Sequence, residues 1–352
     1  MKRVETEVTK EKDIRNSNIE LLRIVLMFGI ILMHTVGTEV NKSAYIWINV
    51  LGNMGVTSFI LISGYYGINL RVEKILRLDI RFIVYSLLTL FVLVWGGKEE
   101  FGFRVLLMHI MPIISNKSWF LSCYIFLNIL SPFLNEYINN LTKNKYKLLL
   151  FANIILFLGI PTIFGYDLMG RAGKDLVHIV ITYFVGRYIR LWMDKEIRCF
   201  KYSKLWLVTI CVLNYLLTYS YYSIKGTITI DFYKDNSIFI MAQSILLFCL
   251  VKKQSFKHKI INHLAGNVLS VYMLEKFSDF VILLFWDYTL YAGGDLWVLI
   301  VVFVVLLKMS IAFIINEIYK LIFGGLENRT VDFWSEKVES GMRFLAQKVT
   351  II

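Results

Sequence analysis

Proline is scarce in this sequence, with only Pro112, Pro132 and Pro161 in 352 residues. Its long apolar segments therefore run almost free of the residue that most strongly breaks helices. Charge is scarce too, at 18% of residues, where a soluble domain carries about a quarter. The four cysteines, Cys123, Cys199, Cys211 and Cys249, show no paired spacing. That spacing excludes a zinc or redox motif of the Cys-x-x-Cys kind and argues against a disulfide framework. There is no internal repeat and no low-complexity tract, and no metal is expected. Acidic residues are the minority charge, 26 against 38 Lys and Arg, for a net charge of +12.

What fills the chain is apolar surface. Hydrophobic residues make up 57%, with 26 Phe, 20 Tyr and 8 Trp, and Trp and Tyr favour membrane interfaces. A window of about 19 residues finds candidate spans near 19–37, 45–68, 79–95, 118–134, 147–164, 174–192, 204–222, 236–251, 267–287 and 295–323. Asn49, Asn53, Thr57 and Ser58 interrupt the second. The expected fold is all-α, a polytopic membrane helical bundle of about ten transmembrane helices. The expected organisation is one membrane domain over 1–324, with a cytoplasmic arm at 1–18. An amphipathic tail at 325–352 is expected to form a cytoplasmic surface helix. Glu20, Arg23 and His34 inside the first apolar run favour a retained span over a cleavable signal peptide.

Loop charges orient the bundle. With the N-terminus inside, 27 of the 38 Lys and Arg fall in inner segments, eight in outer loops and three in spans. The alternation holds at every loop and predicts N-in, C-in topology. The basic balance is thereby accounted for by topology and anionic membrane lipid, with no nucleic acid partner. Richness in Lys, Ile and Asn points to an AT-rich bacterial genome, and the cell membrane is the expected location.

Ionisable residues inside spans are the candidate site, because each costs several kcal/mol in hydrocarbon. Arg23 and His34 are eleven residues apart, which puts them about 20° apart around a helix and roughly 16 Å apart along it. Glu20 sits one turn from Arg23. Two readings stand side by side: a structural ion pair with a hydrogen-bonded histidine, or a site in which His34 takes a proton from a hydroxyl. Arg71, Lys74, Arg77 and Arg81 recur every three or four residues and form a cationic stripe, explained by the inner-loop bias or by phosphate binding. Trp119, Tyr124 and Asn128 bring polar tips into the run Asn116 to Asn135. Ser270, Glu275, Lys276 and Asp279 lie inside the run Asn267 to Phe280, and three ionisable groups in one span suggest a water-filled cavity.

The segment R-N-S-N-I-E-L-L-R-I-V-L-M-F-G-I-I-L-M-H resembles the opening of the acyltransferase 3 family of integral membrane acyltransferases, with Arg23 and His34 at the family spacing. F-I-L-I-S-G-Y-Y, from Phe59 to Tyr66 and including Ser63 and Tyr65, is similar to the next family block. The basic pair of that family is matched by Lys74-x-x-Arg77, or by Arg71-x-x-Lys74. S-W-F-L-S-C-Y and L-S-V-Y-M-L-E resemble later blocks, with Glu275 where the family usually has histidine. The resemblance implies acyl transfer, usually acetyl from cytoplasmic acetyl-CoA, to a hydroxyl of a surface or exported polysaccharide or its lipid-linked precursor. It implies a stand-alone enzyme without a fused extracytoplasmic hydrolase-like domain. Glu20, Arg23 and His34 would be catalytic, with His34 as base or transient acyl carrier. Arg71, Lys74 and Arg77 would hold CoA. Ser63, Tyr65, Trp119, Tyr124, Asn128, Tyr272 and Glu275 would line the acceptor cavity. The alternative is a polytopic transporter or flippase for a glycan-lipid.

Overall fold

In the computed structural model, residues 16–37, 41–226 and 232–349 are described, and no strand occurs among them. Helix α1 (Ser17–Val36) starts where the side chain of Asn16 accepts from the Asn18 amide at 3.1 Å. It ends at Gly37, whose φ of +57° favours glycine. The helix divides the core. Ile19, Leu22, Leu26 and Ile30 pack into one apolar cluster, and Met27 and Ile31 into another.

The second expected span is two helices, α2 (Lys42–Gly52) and α3 (Met54–Tyr66), hinged at Asn53. Of its polar residues, Asn49, Thr57 and Ser58 are buried, and the first two are hydrogen-bonded. Asn49 donates to the Tyr45 carbonyl at 2.9 Å, and Thr57 Oγ1 lies 3.2 Å from His178 Nε2. Helix α4 (Val72–Trp95) leads to a short α5 (Phe103–Ile110), then to α6 (Trp119–Asn139), capped by Ser118. Helix α7 (Lys143–Ile154) passes through a π-helical turn, Ile155–Gly159, into α8 (Ile160–Phe164). Pro161 follows that turn, where the helix register is already altered.

Helix α9 (Leu176–Trp192) crosses α3 very closely. A Cβ on Gly64 would lie 2.4 Å from the Tyr183 carbonyl oxygen, and one on Gly186 would lie 2.4 Å from that of Leu61. Small residues on both faces allow this approach, as is common where helices meet in membranes. The chain continues through α10 (Asp194–Cys199), α11 (Ser203–Lys225), α12 (Ile238–Lys252) and α13 (Lys259–Ala265). The ninth expected span breaks at Leu274 into α14 (Val268–Met273) and α15 (Glu275–Phe285).

The last element differs from expectation. Instead of a span followed by a separate surface helix from 325, α16 (Trp297–Val349) is one helix of 53 residues. Gly324 and Gly325 lie inside it without breaking it, and Glu327 is clamped to α4, as described below.

Among the described residues, six helical segments are long and apolar enough to cross a membrane: Ser17–Val36, Lys42–Tyr66, Val72–Trp95, Lys143–Phe164, Ser203–Lys225 and Trp297–Gly341. Ile238–Lys252 is apolar but shorter. The other expected spans fall on α6, α9 and the α14–α15 pair. Helix α9 has 17 residues, α14 and α15 are short because of the break at Leu274, and α6 is diluted by Asn128, Ser131, Pro132 and Asn135. The protein is an all-α membrane bundle.

Candidate active site

Two cavities lie between α1, α4, α6 and α14. One, of about 340 Å³, is lined by Arg23, Ser63, Tyr66, Lys74, Tyr124 and Asn128, among others. The second, of about 590 Å³, is lined by His34, Trp119, Tyr272, Glu275 and several lysines. The same helices wall both. On α4, Lys74 and Leu78 face the first and Phe82 and Ser86 the second. On α14, Leu269 faces the first and Tyr272 the second. An apolar cluster of Phe82, Leu121 and Ile125, with Leu78, Leu269 and Met273 packed on it, forms the septum. Leu78 and Phe82, and Leu269 and Met273, are each one helical turn apart.

His34 lines the larger cavity. Its Nδ1 lies 3.0 Å from each carboxylate oxygen of Glu275. The Glu275 side chain is only 14% exposed, against 43% for His34. The break at Leu274 starts α15 at Glu275 and sets that carboxylate opposite α1. With Nδ1–H donated to Glu275, Nε2 is left as the proton acceptor, and the carboxylate stabilises the imidazolium that forms.

A second polar cluster braces this pair. Lys308, buried on α16, lies 2.6 Å from Asp279 and donates to Thr35 Oγ1 at 2.8 Å. Tyr288 donates to the same Asp279 oxygen at 2.6 Å. Thr35 follows His34 in sequence, and Asp279 is one turn past Glu275, so the cluster ties α1, α15 and α16 together beside the pair. A buried ammonium needs such compensation.

The expected site residues divide between the two cavities. Trp119, Tyr272 and Glu275 join His34, and Ser118 Oγ donates to the Tyr272 hydroxyl at 3.2 Å. Ser63, Tyr124 and Asn128 lie instead in the Arg23 cavity. Tyr65 lines neither one. Its buried hydroxyl bonds Asp194 and accepts from Arg190 at 3.2 Å. Glu20 is buried beside Arg23 at 3.4 Å. Of the three expected CoA ligands, Lys74 lines the Arg23 cavity. Arg71 is exposed at the start of α4. Arg77 is taken up by the tail, with Nη1 2.6 Å from Glu327 and from Asn328, and Arg81 holds the same Glu327 at 2.9 Å.

Asp235 was not singled out from the sequence. It is 3% exposed in the loop before α12, and burial pushes its carboxyl up to about 7, against the opposing pull of Lys174 and His34. In sequence it sits in a Tyr-Lys-Asp-Asn run that looks like any polar turn. His109, on α5, is buried against Ser86 and pushed below the ordinary imidazole range, first by burial and then by Lys117.

A helical membrane protein with a carboxylate-backed histidine facing a cavity that also holds several lysines has the parts for transfer chemistry on a hydroxyl. The family model of the acyltransferase domain known as acyltransferase 3 matches residues 16–317, and the chain belongs to that family. No curated protein and no solved structure matches it significantly. The protein is a membrane acyltransferase.

Proposed function

We propose that the protein moves an acyl group, in the first instance acetyl, from acyl-CoA to a hydroxyl of a surface or exported polysaccharide or its lipid-linked precursor. It would work in a bacterial cell membrane with the Arg23 cavity toward the cytoplasm. The observation that carries this reading is the His34–Glu275 pair at 3.0 Å on the wall of the larger cavity. In the proposed step, His34 Nε2 takes the proton of the acceptor hydroxyl as its oxygen attacks the thioester carbonyl. The carbon–sulfur bond breaks, the imidazolium returns its proton to the leaving thiolate, and the products are an ester and free CoA. Glu275 holds the ring and offsets its transient charge.

The smaller cavity suits the donor. Arg23 and Lys74 supply cations of the kind that hold phosphates. The septum sets the distance over which the thioester must reach His34. Arg77, engaged by Glu327, would contribute to the donor site through the position of α4 instead of direct contact.

Two cavities separated by a barrier are also what a carrier of glycan-lipids would present, so the test must read chemistry. Protein in nanodiscs is given acetyl-CoA labelled in the acetyl group, with glycan acceptor extracted from the native membrane. The expected result is label in the glycan as an alkali-labile ester, reduced by about 10³-fold in His34→Ala. Glycan crossing the bilayer without ester formation, or full activity in His34→Ala, overturns the reading.

A further inference from the structure

We infer that the acceptor is anionic: it carries a carboxylate or phosphate near the hydroxyl that is acylated, and Lys117 and Lys276 hold that group. The inference rests on the acyltransferase reading for its reaction, but its evidence is separate and lies in the lysines that line the His34 cavity.

The cavity wall bears Lys117, Lys174, Lys276 and Lys308 against Glu99, Glu275 and Asp279. Two of those three carboxylates are already committed. Glu275 serves His34, and Asp279 serves Lys308. Lys276 makes no ion pair among the described residues. What remains is a cationic wall with a single acid, Glu99, which lies 4.0 Å from His109.

Lys117 is held in place by an unusual partner. Its ammonium donates to His109 Nε2 at 2.8 Å. Ammonium has only donors, so Nε2 must be the accepting nitrogen and the ring must be neutral. His109 Nδ1–H then donates to the Ser86 carbonyl at 2.8 Å. The imidazole is 4% exposed and locked between α4 and Lys117. A buried neutral histidine thus aims an ammonium into the cavity without neutralising it. Lys276 arrives from α15 and acts on the same spot: its charge disfavours protonation of both His109 and Lys117. Burial and that repulsion together hold the Lys117 amine below the ordinary lysine range, despite Glu99.

Two cations from distant parts of the chain are brought together in a partly desolvated cavity at a cost in mutual repulsion. An anionic guest reverses that cost and gains charge-assisted hydrogen bonds. Trp119, between Lys117 and the rest of α6, provides an apolar wall for the ring of a sugar.

The test uses the full-length protein in nanodiscs and three probes: a hexuronic acid trisaccharide, a neutral hexose trisaccharide, and a short-chain polyprenyl diphosphate sugar. Binding without acyl donor is read by calorimetry, and transfer by ester formation from acetyl-CoA. The expected result is binding of one or both anionic probes at least about tenfold tighter than the neutral one, weakening as salt rises. Preference for the uronic acid identifies a carboxylate, and preference for the lipid-linked sugar a phosphate. Lys276→Gln should raise KM for the preferred probe about tenfold, with Lys276→Arg restoring it. Equal binding of all three probes, or an unchanged KM in Lys276→Gln, overturns the anionic acceptor and leaves acyl transfer standing. Tight anion binding with no ester formed overturns acyl transfer and leaves the anion seat.

Discussion

Arg23 and His34 stand on one face of α1, but the two ends of the helix hold their charges in different ways. Arg23 takes its partner from its own helix, Glu20, three residues away at 3.4 Å. His34 takes Glu275, 241 residues away at 3.0 Å. A local pair exists wherever the helix exists and can reorganise around a ligand at little cost. A pair made across the fold exists only when α1, α15 and α16 are packed together, so its geometry is fixed before substrate arrives. Fixed geometry is what a proton-transfer site needs, and an adaptable cation is what a flexible phosphate-bearing donor needs.

Breaking the distant pair should cost most. Glu275→Gln keeps the shape but removes the charge that stabilises the imidazolium, and kcat should fall by about 100-fold with KM nearly unchanged. A raised KM with kcat unchanged would point to a role in binding instead. Next is the brace beside it. Asp279→Ala strands the Lys308 ammonium and should lower stability by about 3 kcal/mol, read as a drop in thermal unfolding temperature in detergent. Adding Lys308→Met should recover most of that loss. At the other end of α1, Arg23→Gln should raise KM for acyl-CoA about tenfold while leaving kcat within a few-fold. If kcat collapses as well, Arg23 belongs with His34 and the contrast fails.

The smallest effect concerns Asp235. Its folded carboxyl is raised to about 7, above the unfolded value of about 4. The folded state therefore keeps its proton longer, and stability falls as pH rises from about 4 to about 7, then levels off. Asp235→Asn removes this dependence. Its unfolding temperature should exceed that of the parent by more at pH 8 than at pH 5, and an equal gain at both would place the titration elsewhere.

The contrast between the two ends also explains what the sequence made legible. The Arg23–His34 spacing could be read because both residues lie on one regular helix, and the loop charges could be read because they are local counts. The His34–Glu275 contact could not, since nothing between them encodes the packing that joins them. The break at Leu274 has no Gly or Pro to announce it. The polar interruptions of the second span were visible, but not that Asn49 and Thr57 turn inward to bonded partners. The regular basic stripe suggested a phosphate surface, and Arg77 and Arg81 instead meet Glu327 from a segment expected to lie apart as surface helix. Periodicity shows which face a residue occupies, whereas the identity of what sits opposite is set by tertiary packing.

That clamp makes the last helix a measuring rod. Lys308 grips the His34 end and Glu327 grips the basic end of α4, nineteen residues apart on an unbroken α16. At 1.5 Å per residue the two grips are about 28 Å apart, close to the thickness of a bilayer core. The depth of the histidine relative to the basic end of α4 is thereby gauged by the pitch of one helix. A single inserted residue between the grips would turn one of them about 100° away from its partner.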